Sequence, residues 1–157
     1  AVPQNMTARA MLAAGARAQL QSVVGDGVAI ADAEVSDSIY YSLFPNFHPW
    51  GGYNRIVYRF RPYGNRYDKS IMECYYLSPF AGKRPPPAKT HWLTEEQDWT
   101  QAPELGMLAR VFNQDSFNLP QVQRGLQAAQ FDSVVLARYQ ETKIRHHHTL
   151  LEKYVNV

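Results

Sequence analysis

Cysteine is nearly absent: Cys74 is the only one in 157 residues, which argues against a disulfide-stapled secreted fold. Neither sign of charge is in excess, with 16 Lys+Arg against 14 Asp+Glu and a formal net charge of +2. A nucleic-acid binder's electrostatic footprint is therefore missing. No apolar run approaches the roughly 18 residues of a membrane span. There is no internal repeat, no glycine-rich phosphate loop, and no serine, histidine and acid arrangement of a hydrolase. A cytoplasmic, soluble, single-domain protein is the expectation these absences leave, with no membrane and no nucleic acid among its partners.

Aromatic residues, at 13%, suit either an apolar pocket or a plain core. Residues Thr7 to Val24 are rich in alanine, leucine and glutamine without internal proline, so they predict a helix ended by Gly25 and Gly27. Three aromatic and β-branched runs follow, near Ser38 to Phe47, Tyr53 to Arg61 and Lys69 to Ser78. Trp50-Gly51-Gly52 and Tyr63-Gly64-Asn65 separate them, which predicts an antiparallel meander. Ala81 to Lys89, with Pro85-Pro86-Pro87, predicts a surface loop. Glu104 to Gln130 is predominantly helical, and Gln140 to Tyr154 predicts a final helix.

In the second run, alternation puts Tyr53, Arg55, Val57, Arg59 and Arg61 on one strand face and Asn54, Ile56, Tyr58 and Phe60 on the other. That explains the local arginine cluster as the solvated or subunit-facing side of a sheet, rather than as a stacking platform for single-stranded nucleic acid.

Asp115 breaks a pattern. It falls in line with Leu108, Val111, Phe112, Leu119, Val122 and Leu126, the apolar positions of a helical repeat. A carboxylate on a core-facing stripe is neutralised, paired or bound to a cation, because its isolated burial costs far more than one hydrogen bond returns. Arg110 and Arg124 are candidate partners for the paired alternative. Pro120 either kinks one helix or leaves room for a second to start near Asn118.

This acid, followed by Gln123-Arg124-Gly125, and the upstream stretch Tyr41-Ser42-Leu43-Phe44-Pro45-Asn46-Phe47-His48-Pro49-Trp50 together resemble the catalytic domain of Rieske-type aromatic-ring-hydroxylating oxygenase large (alpha) subunits. The resemblance runs from about Asp37 to the C-terminus. It implies an α+β fold: an antiparallel sheet with a long C-terminal helix, the helix-grip (START/Bet v 1-like) arrangement, here incomplete. It implies that Asp115 is the carboxylate ligand of a mononuclear Fe(II), that Asn46, Phe47 and His48 run past the substrate pocket, and that Gln123 supports the metal site by hydrogen bonding. An alternating strand points only part of the Asn46, Phe47 and His48 set to one side.

An iron site of this type needs two histidines beside the carboxylate, and in the resembled family they come from an upstream helix. A Rieske [2Fe-2S] cluster needs two cysteines and two histidines. Residues 1–157 are therefore expected to be the C-terminal portion of a catalytic domain, with the Rieske domain and the iron-binding histidines outside the chain. The chain starts at Ala1 rather than at methionine, so a fragment, a processed product and a degenerate paralogue are all open. The resemblance further implies dioxygen and an aromatic substrate, electrons from NAD(P)H through a ferredoxin or reductase, and a homotrimer or alpha-beta hetero-oligomer.

The remaining candidates read more plainly. His146, His147 and His148 are consecutive, so their side chains fan out by about 100° per residue and form no single site; they are expected on a helix surface. His91 has no ligand at useful spacing. Cys74, inside a strand, is expected to be a packed thiol. The competing function, from a different class, is a non-catalytic helix-grip module that binds an apolar ligand or a protein partner.

Overall fold

The computed structural model describes Pro3 and residues 5–51 and 55–156. The chain forms two compact units, Ala1–Pro87 and Ala88–Val157, and no helix among the described residues is long and apolar enough to cross a membrane.

The first unit opens with α1, Ala8–Val24. Thr7 caps it by accepting the Ala10 N–H at 3.1 Å, and Gly25 ends it at φ 85°, a left-handed value that a side chain would strain. Both boundaries follow the sequence. A short helix that the periodicity did not announce, α2 (Asp32–Ser36), then folds back on α1 and buries Val35. Glu34 accepts the Ala31 N–H at 2.8 Å to open α2. Arg9 grips Asp37 through two bonds of 2.9 and 3.0 Å, while Arg17 pairs with Asp32 and donates to the Ile30 carbonyl at 3.1 Å.

Three strands follow as the expected antiparallel meander: β1 (Phe47–Pro49), β2 (Ile56–Tyr63) and β3 (Arg66–Tyr76), in that order across the sheet. The first differs from the expected Ser38–Phe47 strand. That run is itself a hairpin: Leu43 and Phe47 exchange backbone bonds of 2.8 and 3.1 Å, Tyr40 bridges Trp50, and Phe44-Pro45-Asn46 is the turn between. Proline has no N–H to give a ladder, so the chain reverses there instead of running through it. The second connection is as expected, a two-residue loop with Gly64 at φ 58° in its first position, as a type II′ turn requires. Gly52, Tyr53 and Asn54, assigned above to a turn and to the start of the two strand faces, lie outside the described residues.

Pairing of β2 with β3 sorts the side chains into two faces. Phe47, Arg59 and Glu73 form one row across the sheet, and His48, Tyr58 and Cys74 form the next, on the opposite face. On the first face the arginines are not simply solvated. Glu73 accepts from Arg59, from Arg61 Nε at 2.7 Å and from the Tyr75 hydroxyl at 2.9 Å. Arg55, just before β2, donates instead to the hydroxyl of Tyr76, a residue of the opposite face, at 2.7 Å.

The second unit has no regular structure until two 3-10 turns, Trp99–Gln101 and Pro103–Leu105. Gly106 at φ 54° then turns the chain into α3, Leu108–Gln127. The helix runs through Pro120 without a break, which settles the kink-or-restart alternative in favour of one helix. Ala102, Leu105, Ala109 and Phe112 make the small core of this unit, with Phe112 fully buried. The last helix, α4 (Thr142–Val155), lies where expected and carries His146, His147 and His148, of which His147 is half-buried.

Arg59 above all, helped by Arg61 and Tyr75, holds the Glu73 carboxyl down at about 2. A carboxyl lowered on folding stabilises the fold above its unfolded value of 4.5, and that contribution fades as pH falls through about 2. Glu73→Gln is expected to cost about 1 kcal/mol at pH 7, the upper end for a partly exposed ion-pair network. Urea titrations followed by circular dichroism should show the gap between variant and parent closing as pH is lowered toward 2.

Candidate metal-ligand helix and aromatic sheet face

Asp115 sits on α3 in the second unit, and it is exposed. So are Val111, Leu119, Val122 and Leu126, between 48% and 58% accessible. The stripe that periodicity identified is covered at one edge, where Phe112 is buried and Leu108 half-buried, and stays open at Val111, Leu119, Val122 and Leu126. The core-facing side of α3 is the adjacent arc through Ala109 and Phe112, which packs with Ala102 and Leu105 of the 3-10 segment. Hydrophobic spacing marks a face that can be buried, and does not say what, if anything, packs on it. Asp115 makes no hydrogen bond or ion pair among the described residues, so the pairing with Arg110 or Arg124 is not formed. No group of three or more His, Cys, Asp or Glu converges on a possible metal position among the described residues.

Gln123, half-buried, stands eight residues further along the same helix. At 1.5 Å per residue it is about 12 Å from Asp115 along the axis, too far for a hydrogen bond to that carboxylate.

Asn46, Phe47 and His48 are brought together at one hairpin in the first unit but point differently. Asn46 lies in the turn and accepts the Phe60 N–H on its backbone carbonyl at 3.1 Å. Phe47 opposes Arg59 on the arginine face, and His48 opposes Tyr58 on the other. His48 belongs to an aromatic cluster: its ring stacks on Tyr40 at 5.6 Å and 6°, and meets Phe60 edge-on at 5.7 Å. Tyr40 in turn meets Trp50 edge-on at 5.1 Å. His48 Nδ1 is 3.3 Å from the Ser42 hydroxyl. Burial raises the Tyr40 hydroxyl above its ordinary range. Trp50 Nε1 is buried with no hydrogen-bond acceptor among the described residues, a donor left unmet at a cost of about 1–3 kcal/mol unless a bound group accepts from it.

Sequence reasoning passed over Tyr40, Trp50 and Phe60. Two-residue alternation from His48 finds Trp50, and its cross-strand neighbours find Phe60. Tyr40 needs the hairpin register, which no local pattern carries. His91, given no ligand partner from spacing, has Glu104 at 3.2 Å, a contact across 13 positions that folding alone creates.

The second unit thus carries an exposed carboxylate on an open apolar helix stripe, and the first unit carries a sheet face of packed aromatic rings. The chain belongs to the family of ring-hydroxylating alpha subunits, in their catalytic domain, whose family model matches residues 9–156. Neither the curated proteins nor the solved structures give a match.

Cys74 lies across from Tyr58 on the aromatic face and is half-buried, and burial pushes its thiol up to about 11. The thiolate is the reactive form, so at pH 8 the folded protein is expected to react with iodoacetamide about 100-fold more slowly than the urea-unfolded chain. A rate equal to the unfolded one would contradict the packed-thiol assignment.

Proposed function

We propose that this chain is the C-terminal portion of the catalytic domain of a ring-hydroxylating oxygenase, and that Asp115 is the carboxylate of a facial triad whose two histidines lie outside residues 1–157. The observation that carries this reading is the state of Asp115: an exposed, unpartnered acid in the middle of an open apolar stripe, inside a segment matched to ring-hydroxylating catalytic domains. A hard anionic oxygen with no competing cation suits Fe(II), and two imidazoles complete the set. When bound, the iron supplies open positions at which dioxygen is activated beside an aromatic substrate.

The chain's own contributions are simpler. Asp115 offers one anionic ligand and leaves the rest of the coordination sphere to others. Leu119 and Val122, beside it on the stripe, offer an apolar surround that keeps bulk water from the acid once covered. His48, Tyr40 and Phe60 offer an aromatic wall against which a planar ring can stack, which keeps His48 as the substrate-contacting member of the Asn46, Phe47 and His48 set.

A Rieske [2Fe-2S] cluster does not fit the residues of this chain, whose one cysteine is a half-buried, raised-pKa thiol. We assign that cluster to a separate domain, with electrons arriving from NAD(P)H through a ferredoxin or reductase. The helix-grip arrangement, an oligomer in which neighbouring subunits pass electrons, and a cytoplasmic setting belong to the same proposal.

In the whole protein that carries this segment, Asp115→Ala is expected to abolish stoichiometric iron and substrate-dependent oxygen consumption together. Iron analysis after desalting and an oxygen electrode would read both, and an unchanged iron content sinks the assignment. The 157-residue chain alone should retain no stoichiometric iron, because one carboxylate is a third of the required set.

A further inference from the structure

Pro120 weakens α3 at a particular place. In a helix the N–H of residue 120 would bond the carbonyl of Ser116, and proline has none to give. The Ser116 carbonyl, next in sequence to Asp115, thereby loses its helical donor. The same turn of helix is braced from outside. Ser116 Oγ accepts the Trp99 indole N–H at 2.8 Å, and Asn113 Oδ1 accepts the Trp99 backbone N–H at 2.9 Å. Phe112 meets the Trp99 ring edge-on at 5.3 Å and 62°. Asn113 Nδ2 donates to Asp98 at 2.7 Å, and Asp98 also accepts the Thr100 N–H at 2.7 Å, which caps the 3-10 turn carrying Trp99.

Positions 112, 113 and 116 occupy an arc of about 100° on the helix, and Asp115 lies about 60° outside it, near the centre of the open stripe. The brace therefore grips the residues around Asp115 without touching the carboxylate or obstructing the face it is on. Three contacts at staggered heights fix both the rotation and the axial position of that turn.

We propose that Trp99, held by Asn113 and Ser116, is a positioning residue for Asp115: it braces, through the Ser116 hydroxyl, the turn where the Pro120 hydrogen bond is missing, and presents the carboxylate at one place. The proposal rests on the reading of Asp115 as a metal ligand. A ligand left loosely supported loses metal affinity, as loss of an outer supporting bond does elsewhere at about 10-fold.

The test uses the whole protein carrying this segment. Trp99→Phe keeps a ring and removes the indole donor, Ser116→Ala removes the acceptor, and Ser116→Thr keeps a hydroxyl. Fe(II) affinity is measured by chelator competition, and geometry at the iron by the electron paramagnetic resonance spectrum of its nitric oxide adduct. Trp99→Phe and Ser116→Ala are each expected to weaken Fe(II) about 10-fold and to broaden the spectrum, while Ser116→Thr restores both. With Pro120→Ala, which returns the helical donor, the loss caused by Ser116→Ala should shrink. Should Trp99→Phe fail to fold, the serine pair decides alone. Unchanged affinity and spectrum in Ser116→Ala, alongside iron loss in Asp115→Ala, overturns the brace and leaves the ligand assignment standing. Iron retained by Asp115→Ala overturns the assignment and the brace with it.

Discussion

Backbone pairing of β2 with β3 decides the chemistry of the first unit. With Tyr58 set opposite Cys74 and Arg59 opposite Glu73, every second side chain is committed to one face, and the neighbouring hairpin must follow the same alternation. One face then gathers cations around a single acid. The opposite face gathers rings and a thiol. A shift of one residue would exchange the two sets and put arginines among the aromatics. The Glu73 network makes that slip costly, since Arg59 and Arg61 would each lose their carboxylate.

In the second unit the corresponding constraint is Trp99 against α3. Phe112 is the one large side chain fully buried among the described residues, and it packs edge-on against Trp99, which Asn113 and Ser116 tie down. The other stripe of the same helix stays open. Leu119, Val122 and Leu126, each already shielded over about half its surface, would gain about 1 kcal/mol apiece if covered, so the surface favours being covered. Asp115 in the middle of that surface is the exception that only a partner for its charge would make tolerable. The stripe and its central acid lie within the segment that matches ring-hydroxylating catalytic domains.

Much of the fold was legible because the signals were local. Thr7 and Gly25 bracket α1 as a cap and a left-handed stop, Gly64 marks the β2–β3 turn, and the alternation through Arg59 and Phe60 assigns the two sheet faces. The failures were equally physical. Phe44-Pro45-Asn46 looked like strand by composition, yet a residue without an N–H invited reversal. Helix α2 is too short for periodicity to register. That the pleat sends Phe47 and His48 to opposite faces follows the alternation the strand was expected to impose. Asn113 and Ser116 carry no local signal of their role, because their partner Trp99 stands 14 and 17 residues away.

The sequence by itself determined which side chains share a face. Periods of 3.6 and 2 are properties of the backbone, so the stripe through Leu108, Asp115 and Leu126 and the two faces of β2 could be drawn before any contact was known. It also determined the weak point at Pro120, since the missing donor is a covalent fact. Only the tertiary structure decided which of those faces is occupied: it covered Phe112 rather than Val122, paired Glu73 with two arginines, and left Asp115 open. Occupancy depends on what is brought alongside, and residues distant in the chain meet through folding rather than through any repeat in their spacing.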